Sequence, residues 1–225
     1  MGYLVPIIML LGLGMMAYFM MKGNKQQTTW LKEVSKSHGW LSKTKSDGAP
    51  GVYQLSGTSK QGKKWELNAF SRSSAEDRNV ILHHSREYTE WTCPITHSIG
   101  ELLVMPRDPS WKSFSDDQIL GFIKPVWKAM GLPADQFHAF LSTNQEIENK
   151  YMIYTTNQDL AMLIIQEELF KHVLNWQEIS SDKKTLVNIR ISSKETSLQL
   201  GYLINKPEEV EKLVTIGEKI IESLQ

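Results

Sequence analysis

Apolar residues follow two periods along this chain, one of two residues and one of three to four. In "KWELNAF", Trp65, Leu67 and Ala69 alternate with Glu66 and Asn68, which places the two sets on opposite faces of a strand. "GVYQLSG" alternates in the same way, with Tyr53 and Leu55 opposed to Val52 and Gln54. The short link Lys60-Gln61-Gly62-Lys63 joins strand-like runs at Gly51 to Ser59 and Lys63 to Phe70, and so predicts a β-hairpin. Further strands are expected at Trp40 to Lys45, within Val80 to Cys93 and at Glu101 to Met105; "SDGAPG" supplies a turn and "SRSSAEDRN" a loop. Ahead of them, Trp30, Leu31 and Val34 have helical spacing, with Thr28 or Thr29 as a cap and Gly39 as a stop.

The middle of the chain is less regular. Asp116 to Met130 predicts a helix with apolar positions at Ile119, Phe122, Ile123 and Val126/Trp127, kinked or split at Pro125. "GLPADQFHAFL" predicts a second short helix with Pro133 in its first turn. Next come a strand at "NKYMIYTT", one helix over "NQDLAMLIIQEELFKHVLNW" capped by Asn157, and strands at "TLVNIRISS" and "TSLQLGYLI". A last helix begins at Pro207, with a stripe at Val210, Leu213, Val214, Gly217, Ile220, Ile221 and Leu224, and with Glu208 and Glu209 outside it. The fold class this implies is α+β: a mostly antiparallel sheet with helices packed on it, ending β-α-β-β-α.

Residues Tyr3 to Met21 carry no charge over nineteen positions. As a helix they would span about 28 Å, close to the hydrocarbon thickness of a bilayer. The start lacks the basic side chain of a signal peptide, and the run ends in bulky Phe19, Met20 and Met21, so a retained transmembrane anchor is expected. Lys22, Lys25, Lys32 and Lys36 follow it and no basic side chain precedes it, which directs the rest of the chain to the cytoplasm. Those lysines also suit anionic headgroups. Lone Cys93 agrees with a reducing compartment. The expected organisation is therefore an anchor at 1–24 and a cytoplasmic α+β domain at 25–225. That domain divides into a helix and β-meander (25–106), a helical connection (107–148) and the β-α-β-β-α part (149–225). In layout alone it resembles single-pass proteins of the bacterial inner membrane.

Formal charge is zero, which removes any whole-chain argument for nucleic acid, although residues 22–64 hold nine lysines against Glu33 and Asp47. Candidate chemistry is sparse. "GTSKQGKKW" holds seven of the eight positions of a phosphate-cradling loop, but Lys64 stands where the magnesium-binding hydroxyl belongs and a strand follows it, so no nucleotide is expected. His83, His84, Cys93 and His97 are the densest set of possible metal ligands; adjacent histidines on a strand point apart, and no second ligand pair completes a site. Cys93 reads as a small buried hydrophobe. The acidic pairs Asp116/Asp117, Glu167/Glu168 and Glu208/Glu209 are adjacent, and those at helix starts suit the macrodipole. Leu160 to Ile165 are apolar in every direction, which predicts a buried helix or a contact beyond the sheet.

No catalytic, cofactor-binding or metal-binding residue is assigned. The expected function is that of a single-pass membrane-anchored accessory, scaffold or assembly protein, with the lipid bilayer and a membrane protein as partners. A membrane-tethered enzyme without a local motif, such as a hydrolase, and a lipid or small apolar ligand-binding domain are the alternatives. A reporter fused after Gln225 that works only in the cytoplasm should be active, and the mature chain should retain residues 3–21. Activity of an exported reporter would overturn the orientation.

Overall fold

The computed structural model describes residues 29–44, 52–71, 87–96, 99–129, 132–182 and 184–225. The expected anchor and residues 80–86 lie outside them. Among the described residues no helix is long and apolar enough to cross a membrane.

The described strands form one nine-stranded sheet. They are β1 (Leu41–Thr44), β2 (Tyr53–Thr58), β3 (Lys64–Ser71), β4 (Glu87–Pro94), β5 (Leu102–Pro106), β6 (His138–Ala139), β7 (Tyr151–Thr155), β8 (Asn188–Ile191) and β9 (Glu195–Leu200). Their order is β1-β2-β3-β4-β9-β8-β5-β7-β6, and every described pairing is antiparallel. The expected hairpin is present: Thr58 pairs with Lys64, the Ser59 N–H donates to the Lys63 carbonyl, and Gly62 turns the chain at φ +75°. Lys64 starts a strand, so the helix that a phosphate loop requires is replaced by a sheet ladder.

Alternation along these strands makes two cores. On one face Leu55, Trp65, Leu67, Trp91, Val104 and Leu198 are buried beneath helix α1 (residues 29–38) and the later helices. On the other, Leu103 and Met105 of β5 and Met152 and Tyr154 of β7 pack against α2 (Asp116–Ala129). Neighbouring residues of one strand thus serve different layers. Farther from α2, that second face turns polar. One cross-strand row reads Gln54, Asn68, Glu90, Gln199, Asn188, and all five belong to strands whose alternate residues are core.

Three expectations about helices are corrected, and the kink-or-split alternative at Pro125 is narrowed. The single helix over Asn157 to Trp176 is three: α4 (Gln158–Ile164), α5 (Glu167–Leu174) and α6 (Trp176–Ile179), following the short α3 (Gln145–Lys150). At about 100° per residue, Leu160, Ala161, Ile164 and Ile165 point roughly 180° away from Leu169, Phe170, Val173 and Leu174. A straight helix would bury one set and expose the other; the break at Gln166 buries both. Pro125 does not split α2, which runs through it. Pro125 and Gly121, the residue whose carbonyl loses its donor, are both exposed, so water can take that carbonyl. The expected helix after Gly131 is a 3₁₀ turn at Ala134–Gln136, followed by edge strand β6, which pairs with β7. Lastly, Glu209 of α7 (Pro207–Ser223), placed outside the buried stripe by its charge, is fully buried.

Helix α7 crosses the middle of the sheet, against β4 and β9. Its apolar stripe is buried as expected, and Gly217 lets the helix backbone lie directly on Trp91. A Cβ at Gly217 would sit 2.6 Å from the Trp91 ring, whereas one at Gly121 of α2 meets nothing within 4 Å. The two helix glycines should therefore respond oppositely to alanine. In urea melts Gly217→Ala should destabilise by about 1–3 kcal/mol through overpacking. Gly121→Ala should be neutral or stabilising by up to about 1 kcal/mol.

Candidate functional site

A fully buried carboxylate, that of Glu209, lies where α7 begins. Pro207 takes the first helical position, which needs no N–H donor, and Glu209 falls one turn inside, facing the sheet. Its carboxylate accepts the Ser181 N–H at 2.5 Å, and the Ser181 and Tyr202 hydroxyls each at 3.3 Å. Lys206 Nζ stands 4.0 Å away. Ser180 Oγ lies 2.8 Å from the Tyr202 hydroxyl oxygen and accepts the Asp182 N–H. Burial raises the Tyr202 phenol above its usual range, helped by the neighbouring Glu209 charge, and raises that of Tyr53 for the same reasons. Tyr53 donates to the Ile204 carbonyl. These groups spend their donors and acceptors on one another, so the cluster is a knot that ties the 180–182 turn, the end of β9 and α7 together. It presents no open position to a substrate.

A second knot holds the other core. Arg107, just past β5, makes a bidentate pair with Asp116 at 2.7 and 2.9 Å, and its Nε donates to the Glu148 carbonyl at 2.9 Å. The hydrogen bond to Asp116 raises the already high affinity of Arg107 for its proton. One guanidinium thereby joins β5, the start of α2 and the end of α3.

Of the four residues that the sequence raised as possible metal ligands, Cys93 alone lies among the described residues. Cys93 is buried on β4 and burial pushes its thiol up to about 11, which leaves little thiolate for chemistry. His83, His84 and His97 lie outside the described residues. Among those described, no three His, Cys, Asp or Glu side chains are grouped to hold a metal. Asp116 serves Arg107, Glu168 is exposed and Glu209 is internally bonded.

The unexpected surface is the outer side of α2. Ile119, Leu120 and Trp127 are buried, while Phe122 is 67% and Val126 53% exposed. Phe114, in the approach to the helix, is 41% exposed and meets Phe122 edge-on at 5.7 Å. Gly121, Pro125 and Ala129 are exposed as well. Helical apolar spacing in the sequence covers Ile119, Phe122, Ile123 and Val126/Trp127 alike, and of these the structure buries Ile119 and Trp127 while leaving Phe122 and Val126 exposed. The signal was present: from Phe122 to Leu120 the apolar arc spans about 160°, wider than one sheet contact needs. Lys112 and Lys128 are exposed and Lys124 is half-buried, with Lys124 about 160° around the helix from Phe122 and Val126.

No family model and no curated protein matches the chain. Among solved structures, the crystal structure of the mycobacterial trehalose monomycolate transport factor A, TtfA, is similar over 86% of this chain and 93% of its own, at 9% identity and a TM-score of 0.44. A likeness of that degree carries no argument about function.

Removing the Glu209 carboxylate takes away the acceptor shared by the Ser181 N–H and the Tyr202 hydroxyl and leaves a gap at a fully buried position. Glu209→Ala should lower stability by about 2–5 kcal/mol in urea melts. Exposed Glu208→Ala should change it by less than about 0.5 kcal/mol.

Proposed function

We propose that this protein is a membrane-anchored accessory or scaffold protein that works by docking, with the outer side of α2 as its contact surface. The observation that supports this reading is the exposed Phe114–Phe122–Val126 patch on a helix whose opposite side is already in the core. A helix needs one apolar side to fold, and a second apolar side costs solubility unless something covers it. The uncharged run Tyr3 to Met21 and the lysines after it support a bilayer location with the folded part in the cytoplasm. Within this reading, residues 1–24 are the anchor and 25–225 the working domain. The Arg107–Asp116 pair serves it by tying the start of α2 to the end of β5.

A photoreactive amino acid placed at Phe122 in the full chain, in its native membranes, should form adducts several-fold above the same probe at exposed Glu195. Equal yields at the two positions would overturn the docking reading.

A further inference from the structure

We propose that Lys212 is an acyl-acceptor site: its amine attacks the carbonyl carbon of acyl thioesters, and His172 takes the proton that the nitrogen releases. The site lies on the opposite face of the sheet from α2 and is independent of the docking reading.

Helices α5 and α7 pack against each other in the layer that covers the larger core. Where they meet, Lys212 Nζ stands 3.0 Å from His172 Nδ1. Lys128, Lys150 and Lys206 each reach a carboxylate; Lys212 reaches an imidazole nitrogen instead. Glu208, one turn earlier on α7, has the spacing of a helical ion pair, yet among the described residues no carboxylate pairs with Lys212. An ammonium can only donate, so Nδ1 accepts and the ring proton sits on Nε2. A neutral imidazole with its basic nitrogen on an amine is the arrangement of a nucleophile beside its base.

The surroundings favour the uncharged forms that the chemistry needs. Both side chains are half-buried. Burial lowers the proton affinity of Lys212; Glu178 of α6 opposes this and Lys219 of α7 adds to it. Burial also lowers that of His172, reinforced by Lys212, Lys219 and Lys171 and opposed by Glu168. At a given pH Lys212 therefore holds more free amine than an ordinary lysine, and His172 stays free to accept a proton. In the acyl step the Nζ lone pair forms the C–N bond, and the C–S bond breaks with its electron pair leaving on the thiolate. The Nζ proton passes to Nδ1, and from the imidazolium to the thiolate or to water. The product is an uncharged amide between α5 and α7.

The test treats the full chain with S-acetyl-N-acetylcysteamine, a small neutral thioester, over a range of pH. Acetylation of each lysine is timed by peptide mass spectrometry. Lys212 should react at least about tenfold faster than exposed Lys171 and Lys194, a modest share of what a positioned general base supplies. Its rate should also level off at a lower pH than theirs. This comparison is made within one folded protein and needs no variant. His172→Gln, which retains a hydrogen-bond acceptor and loses the base, should bring Lys212 to the rate of Lys194 and leave Lys194 unchanged; circular dichroism verifies its fold. Equal rates at the three lysines of the parent chain overturn the proposal and leave the Lys212–His172 contact as a packing bond. A fast Lys212 in both the parent and His172→Gln overturns it as well, because the imidazole is then not the base.

Discussion

The pairing of β4 with β9 is the constraint on which the rest of this molecule depends. Trp91 stands opposite Leu198, more than a hundred residues away in sequence. On its far side β4 carries the local meander β1 to β3, and on its far side β9 carries β8, β5, β7 and β6. Without that one ladder the chain would hold two half-sheets, each with an open edge. The seam is closed from above by α7, whose Gly217 admits the Trp91 ring against the helix backbone. Apolar burial at the seam is therefore a matter of both area and fit, because the indole fills space that any larger residue at position 217 would occupy.

The polar knots follow from that arrangement. Bringing α7 onto the seam carries Glu209 out of water, and a buried carboxylate persists only when its acceptors are used. Ser181 and Tyr202 supply those bonds from two segments that the sheet has already positioned. Arg107 and Asp116 do the same for the second core, where α2 meets β5 and β7. Both knots cost stability if half broken, and both orient the elements they join, which is the sense in which they belong to function here. The Arg107–Asp116 pair, which reaches α2, holds the start of that helix to the end of β5.

The outer side of α2 is the surface on which the docking proposal rests. Among the described residues Asp116 is taken up by Arg107, and Glu209 by Ser181 and Tyr202. The surplus lies in apolar surface: Phe122 and Val126 remain in water on a helix that has already buried Ile119, Leu120 and Trp127. The polar face of the central strands is itself largely out of water, with Asn188, Ser197 and Gln199 buried.

The sequence by itself determined the local features. Alternation marked the β2–β3 hairpin, Gly39 and Gly62 marked turns that need a positive φ, and the three-to-four spacing of Val210, Leu213, Val214 and Gly217 marked the buried side of α7. These are consequences of backbone period and steric freedom, which neighbours a few residues away decide. Tertiary structure decided what depends on distant partners. Only the sheet order shows that β5 lies between β8 and β7, and only the second core shows that part of the α2 arc is left outside. The break at Gln166 follows from two apolar sets that must reach one core. Glu209 could not be recognised as buried from its charge, because the donors that make its burial tolerable lie 7 and 28 residues away along the chain. Periodicity records which residues avoid water; it does not record how much of that surface the fold has room to cover.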